Sequence, residues 1–340
     1  MIEARTVVET VARGDLDELI RLVDGICSAR DWEALVLLRD RCRLAVEERG
    51  LQLWPAAEFA EYRLALEAPG EYVGEVVVEG SGRFTLGPLW EVAASTHDWT
   101  ELADHLAPGP MRAMAAHERV MRGEDLTDDG SVDARVLDLP FRLEPWEPVY
   151  PPAVYRSDTA DFPTPVVPRL SEFPDVPAGP VIDDVETVEA LTDLGRVWTD
   201  QSNGATAAVA VEGDARGAIA ALHDGPVLGA PVDGATGLAI MAWAGASGGA
   251  YGRRRGNPAG RFAAWWAATA LAGLEWPPDP TALGEAVAEL DWVVWEPQDL
   301  AAGWRCFLAV GDPLDGLAWA VAAEDSYREG DDPLAGDADD

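Results

Sequence analysis

Lysine does not occur in this chain: all of its 25 basic residues are arginines, set against 61 aspartates and glutamates. Without lysine there is no Schiff-base chemistry, no lysine general base and no phosphate-binding P-loop of the Walker type. The scarcity of positive charge leaves a formal net charge of −36. Phosphate contacts need a cationic face, so direct binding to nucleic acid is not expected. Such a surface keeps a protein soluble and attracts basic protein partners. Cysteine is almost as scarce. Cys27, Cys42 and Cys306 stand in unrelated settings, and three scattered thiols build neither a disulfide framework nor a zinc quartet. The four histidines show no HxH or HExxH spacing, so no metal and no cofactor is expected. The start, MIEARTVVET, has neither a positive n-region nor an apolar h-region, which argues against a signal peptide. The nearest approach to a membrane-length uncharged run, Gly234–Tyr251, is glycine-rich and poorly shaped for a bilayer. A cytoplasmic protein without membrane contact is the expectation.

Apolar material is plentiful. The 340 residues are 48% hydrophobic with a mean hydropathy of −0.06, enough for a sizeable core and a prior of two domains. Residues 1–130 read as short helices. Leu16, Leu19, Ile20, Val23 and Cys27 share one helical face, as do Trp32, Leu35, Leu38, Cys42 and Val46. Asp15, Asp31 and Asp98 stand at N-cap positions, and Glu18 and Glu101 follow three residues after their caps, a variant of the capping box. Pro55 opens a further helix with Phe59, Tyr62 and Leu66 inward, stopped by Pro69-Gly70. The segment SARDWEAL (Ser28–Leu35) is echoed as STHDWTEL (Ser95–Leu102). That offset suits two helix-hairpin repeats of the HEAT or TPR kind; an irregular helical domain is the other reading. EVVVEGSGRFTL, between the copies, suits either a strand pair or a continued helix.

Residues 131–182 form a proline-rich strap or linker, with 11 of the chain's 25 prolines between 138 and 182. Proline on this scale excludes helix and central strand. The regular aromatics Phe141, Trp146, Tyr150, Tyr155, Phe162 and Phe173 favour an extended strap pinned by its side chains over a mobile linker. Residues 183–325 form a Trp-rich C-terminal domain of α/β or α+β type. Within it the spacing predicts a helix over Val185–Trp198, a strand over Ala207–Asp214 and a helix over Ala215–Gly225. Thr236–Ala246 is a strand or buried helix, and Ala259–Leu274 a central helix apolar nearly all round. PPDPTALGEAVAELDWVVWEP gives a proline-started helix, Gly303–Asp312 an exit strand, and DGLAWAVAAEDSY a last helix. Residues 326–340, acidic from Glu329 on, are expected to be disordered. The fold class is therefore mainly α with some β.

One stretch combines features of a binding site: SGGAYGRRRGNPAGR, Ser247–Arg261. Its glycines, Gly249 and Gly252 among them, let backbone N–H groups approach an anion. Arg253, Arg254, Arg255 and Arg261 add forked donors suited to phosphate or carboxylate. Residues 183–325 hold seven arginines against 21 acidic residues, and four of the seven are in this stretch. Pairing with the domain's own carboxylates, docking on the acidic helical domain, or plain solvation are the competing outcomes. GxGxxG is absent. Ser247, in GASGG, is the nearest thing to a nucleophile elbow, and Ser95, His97 and Asp98 are sequence neighbours, which seldom form a triad. Nine of the 14 tryptophans fall in Trp198–Trp319 among alanine and valine. Such surroundings make them core fillers before they are a stacking platform.

EYRLALEAP, GRFTLGPLWEVAAS and HDW, followed by GRRRG and AGRFAAWW, resemble a conserved hypothetical family of high-GC Gram-positive bacteria with no assigned function. The resemblance covers most of the chain and implies no active site. Two readings of function follow from the residues. The first is a non-enzymatic binding or scaffold protein whose acidic helical domain holds a basic partner. The alternative is a domain that binds a phosphorylated or carboxylated small molecule at Ser247–Arg261, with or without catalysis.

Overall fold

The computed structural model describes residues 3–132, 134–174, 176–299 and 302–328. It divides into two compact units, Met1–Leu137 with Pro152–Phe162, and Asp138–Pro151 with Pro163–Asp340. The acidic stretch Glu329–Asp340 lies outside the described residues.

The first unit is built from α1 (Ala4–Arg13), α2 (Leu16–Ala29), α3 (Trp32–Arg49), α4 (Trp54–Glu67), α5 (Gly70–Val76), α6 (Leu89–Thr96), α7 (Trp99–Ala103) and α8 (Pro110–Met121). Helices two apart pack together: α1 on α3, α2 on α4, α4 on α6, α5 on α7 and α6 on α8. Sequential helices pack as well, α3 on α4 most extensively, so apolar faces are buried both within and between hairpins. Asp15 and Asp98 cap α2 and α7, accepting from the N–H groups of Glu18 at 3.0 Å and Glu101 at 2.9 Å. The return half of the box is missing. Glu18 pairs with Arg13 at 3.0 Å, and Glu101 accepts from the N–H of Gly70 at 3.1 Å.

Helix α4 departs most from its sequence pattern. A single inward face was expected, yet Glu58, Glu61 and Arg63 are buried as well. Each has a reason to be inside. Glu58 accepts from the N–H of Phe84 at 2.6 Å, Glu61 from the N–H of Gly82 at 3.2 Å, and Arg63 donates to Asp24 at 2.5 Å. The stretch that suits either a strand pair or a continued helix is the end of α5, which stops at Val76, followed by a loop that these carboxylates hold by its backbone. A two-residue hairpin of β1 (Val154–Tyr155) and β2 (Ala160–Asp161) completes the unit. Its Tyr155 hydroxyl donates to the buried Glu91 at 2.6 Å.

The second unit is organised on an antiparallel sheet. In chain order its elements are β3 (Ser171–Glu172), α9 (Val185–Thr192), α10 (Arg196–Gln201), β4 (Ala205–Glu212), α11 (Ala215–Leu222), β5 (Val227–Val232), α12 (Gly234–Ala246), α13 (Asn257–Leu271), α14 (Pro280–Glu289), β6 (Asp291–Pro297), β7 (Trp304–Asp312) and β8 (Leu317–Asp325). The strand order is β3-β5-β6-β7-β8-β4. Alternation along the strands makes two apolar faces. Val211, Trp295, Phe307, Ala309, Ala318 and Ala320 pack on Ala215, Ala218 and Ile219 of α11. The opposite face meets α9 and α12, with Trp292 against Gly237 and Thr206 against Gly195. Helix α13 lies on α12, and Gly245 and Gly260 permit the close crossing. A Cβ at Gly245 would sit 2.8 Å from that of Ala263, and one at Gly260 would collide with the Ala242 carbonyl.

Two expectations are corrected here. The last helix, over DGLAWAVAAEDSY, is the central strand β8. Its alanines favour helix by propensity, but β7 and β4 supply hydrogen-bonding partners on both sides, and tertiary pairing outweighs a weak local preference. The helix over Val185–Trp198 is broken by a 3₁₀ turn at Asp193–Gly195 into α9 and α10.

The proline-rich segment is packed in pieces. Residues Asp138–Pro151 belong to the second unit and Pro152–Phe162 to the first. Beyond them, β3 pairs with β5 at one edge of the sheet, while Val181 bridges Val211 of β4 at the other edge. Glu212 N–H donates to the Pro180 carbonyl at 2.9 Å. Extended chain thus meets the sheet at both sides, over two residue pairs on β5 and one bridge on β4.

Candidate functional site

The glycine- and arginine-rich turn between α12 and α13 is closed on itself. Gly249 N–H donates to the Ser247 hydroxyl at 3.1 Å, Ala250 N–H to the buried Asp325 carboxylate at 2.6 Å, and Tyr251 N–H to Ser202 at 3.0 Å. Arg253 N–H donates to the Gln201 side chain at 3.2 Å. The N–H groups of Arg255 and Gly256 both reach the Ala246 carbonyl, at 2.8 and 3.3 Å. Backbone groups that the sequence offered to an anion therefore serve internal acceptors. Gly249 has a φ of 69°, and a Cβ there would strike Asp325. Gly252 faces Gly248 so closely that neither tolerates a side chain. These glycines serve the turn's own packing.

The four arginines separate. Arg261 is on α13 and is fully buried against Glu147, both side chains being 0% exposed. It donates to Glu147 at 2.8 and 2.6 Å and to the carbonyls of Pro140 and Arg142 at 2.9 and 2.8 Å. Trp265 Nε1 and the Tyr150 hydroxyl also donate to Glu147, at 2.9 and 2.8 Å. Burial pushes the Glu147 carboxyl up, but the hydrogen bonds and charge of Arg261 outweigh it and hold the group below the ordinary carboxylate range. Burial and the neighbouring Glu147 charge push the Tyr150 hydroxyl well above its usual value, which keeps it a donor. Arg261 is thus a clamp for the segment Asp138–Pro151, and the sequence-level reading that gave it to a ligand is corrected. Arg254 is half-buried and donates to Asn257 at 2.7 Å, and Arg253 is exposed.

Arg255 is different. It lines a cleft of about 640 Å³ formed by α9, α10 and α13, whose walls include Glu186, Glu189, Asp193, Arg196, Asp200, Gln201, Phe262 and Trp266. The Arg255 side chain is half-buried, and among the described residues it makes no hydrogen bond or ion pair. Burial pulls its guanidinium below the usual value, Asp193 opposes that, and Arg196 adds to it. Asp193 is itself engaged by Arg196. Phe262 and Trp266, one turn apart on α13, are half-exposed and form an aromatic cluster with Trp276. The ring centroids lie 6.4 Å apart for Phe262–Trp266 and 5.3 Å for each ring to Trp276. Trp266 and Glu186 also line a neighbouring depression of about 470 Å³ that reaches Glu275 and Trp276. Four carboxylates and two guanidinium groups line the main cleft, so its wall is net negative. Sequence reasoning had singled out Arg255 but not the cleft, because α9 and α10 reach α13 only in the tertiary structure.

The nucleophile candidates are occupied separately. Ser247 is buried and caps the turn. Ser95 donates to the Val92 carbonyl at 2.6 Å and Asp98 caps α7. His97 is buried with its ring nitrogens 2.9 and 2.8 Å from the carbonyls of Ala93 and Ala68. Among the described residues no group of histidine, cysteine, aspartate and glutamate is arranged to hold a metal ion, and no helix is long and apolar enough to cross a membrane. None of the curated proteins and none of the solved structures compared with the chain matches it. A family model does match, over residues 17–327, nearly the whole length that carries the two units and the cleft, and by that match the chain belongs to the family of unknown function DUF6183.

Proposed function

We propose that this protein is a non-catalytic binding protein, and that the cleft beside α13 receives a cationic segment of a protein partner. One observation carries the reading: half-exposed aromatic rings, Phe262 and Trp266, stand beside the carboxylates of Glu186, Glu189 and Asp200. Arginine and lysine side chains suit such a wall, since the rings attract the cation across their faces while the carboxylates neutralise it. The chain's net charge of −36 adds long-range steering of a basic partner toward it. This moves the binding surface expected on the acidic helical domain to the Trp-rich unit. The other reading, an anionic small molecule on the Ser247–Arg261 turn, loses the backbone donors and Arg261 and keeps Arg255.

The test is a titration of N-acetylated hexa-arginine amide and a glutamate-rich control peptide into the wild-type protein and the variants Trp266→Ala and Glu186→Gln/Glu189→Gln. The basic peptide is expected to bind with an affinity that falls as salt is raised, and to weaken at least about fivefold in Trp266→Ala, which leaves the net charge untouched. Equal binding to wild type and Trp266→Ala would show only diffuse attraction to an acidic chain and would sink the reading.

A further inference from the structure

The cleft's other guanidinium, Arg196, is paired with Asp193, whereas Arg255 has no hydrogen-bonded or ion-paired partner among the described residues. Arg253 and Arg254 flank it on the same turn, yet Arg254 bonds Asn257 and Arg253 stands exposed. Withdrawing a guanidinium from water without a hydrogen-bonded anion is unfavourable, and Asp193, a carboxylate of the same cleft, already holds Arg196. The position is built into the turn. Arg255's own N–H is tied to the Ala246 carbonyl at 2.8 Å, so its backbone is anchored while its side chain faces the cleft.

Resting on the cleft reading above, we propose that Arg255 receives the terminal carboxylate of the segment that fills the cleft, so that the occupant is the C-terminal tail of a basic protein. The cleft's order along α13 matches such a ligand. Arg255 precedes the helix, Phe262 and Trp266 follow on its second and third turns, and the second depression continues to Thr269 and Gly273. From Asn257 to Leu271 the helix runs about 22 Å, which an extended chain spans in roughly six or seven residues. A free amino acid would occupy only the Arg255 end. A carboxylate matches the planar fork of a guanidinium, and its single charge meets less repulsion from Glu186, Glu189 and Asp200 than a phosphate would. Basic residues upstream of the terminus then lie along the aromatic and acidic wall.

The experiment compares N-acetylated hexa-arginine as the free acid with its C-terminal amide, titrated by calorimetry into wild type, Arg255→Gln and Trp266→Ala. The amide carries one more net positive charge, so diffuse attraction to an acidic protein favours it. Tighter binding of the free acid, by about tenfold, therefore runs against the overall field and requires a local anion receptor. Arg255→Gln is expected to abolish the preference by weakening the free acid, while the amide, which loses a like charge from the wall, binds no more weakly than to wild type. Since the Arg255 side chain makes no hydrogen bond or ion pair among the described residues, this variant is expected to keep its melting temperature. An amide that binds wild type as tightly as the acid, or a preference that survives in Arg255→Gln, overturns the assignment of Arg255. In both cases amide binding that remains sensitive to Trp266→Ala leaves the cleft reading standing. If neither peptide binds wild type, both fall.

Discussion

Replacing Arg261 by methionine is the sharpest probe of how the second unit is held. The substitution removes four hydrogen bonds at 2.6–2.9 Å and leaves the fully buried Glu147 without its counter-ion. Breaking one side of a buried ion pair costs about 3–5 kcal/mol, a large part of the ~5–15 kcal/mol that holds a domain together. Glu147 would keep donors from Tyr150, Trp265 and the N–H of Glu144, which puts Arg261→Met near 3 kcal/mol, the lower end of that range. Glu147→Leu strands a guanidinium on two carbonyls and belongs near the upper end, about 5 kcal/mol. The double variant Arg261→Met/Glu147→Leu removes both charges and should recover at least about 2 kcal/mol relative to the sum of the singles. Urea unfolding followed by tryptophan fluorescence gives the three numbers. Limited proteolysis with mass spectrometry should show new cuts within Asp138–Pro151 in both single variants, because that segment's carbonyls and Glu147 are what Arg261 grips. Single variants within about 1 kcal/mol of wild type, or an additive double variant, would refute the clamp.

Acid titration tests the same pair. The folded Glu147 carboxyl lies below its ordinary value of 4.5, so its contribution is full above about pH 4.5 and is lost as pH falls through the folded value. In Arg261→Met, burial, the largest influence on Glu147, is opposed only by the hydrogen bonds from Glu144 and Trp265 and raises that carboxyl, so the stability gap to wild type should narrow as pH drops from 7 to 5, measured by urea midpoints. Burial pushes the thiols of Cys27, Cys42 and Cys306 up to about 12, and a thiol reagent at pH 8 should label them only after unfolding. Gly260→Ala should lower stability by about 1–3 kcal/mol despite alanine's better helix propensity, because its Cβ would collide with the Ala242 carbonyl; a melting curve decides. Trp265→Ala should cost about 3–5 kcal/mol, since that ring is 1% exposed. Trp266→Ala should cost clearly less, as its half-exposed ring lines the cleft, and parallel denaturation curves separate the two.

Local rules made much of the helical content legible. Asp15 and Asp98 sit at the caps assigned to them, Pro55 opens α4 with Trp54 just ahead of it, and the strand expected over Ala207–Asp214 is β4, Ala205–Glu212. Each depends on neighbours a few residues away, which a single sequence displays. Strand β8 could not be read that way. Leu317–Ala323 is alanine-rich and apolar on every side, a pattern shared by a buried helix and a central strand, and only pairing with β7 and β4 selects between them. The candidate site divides along the same line. Composition and the run Arg253–Arg255 marked a cationic turn in an acidic chain, and nothing local distinguishes one arginine of that turn from the next. The distant partners do. Glu147 takes Arg261 and Asp325 takes the turn's Ala250 N–H, while α9 and α10 wall the cleft around Arg255. Sequence by itself thus determined the charge, the helix boundaries set by caps and prolines, and the absence of lysine chemistry. Which arginine is buried was decided by a contact 114 residues away, that of Arg261 with Glu147. The turn's backbone donors are satisfied partly from within it, by Ser247 and Ala246, and partly by the distant Gln201, Ser202 and Asp325, because close packing brings together groups that the sequence keeps apart.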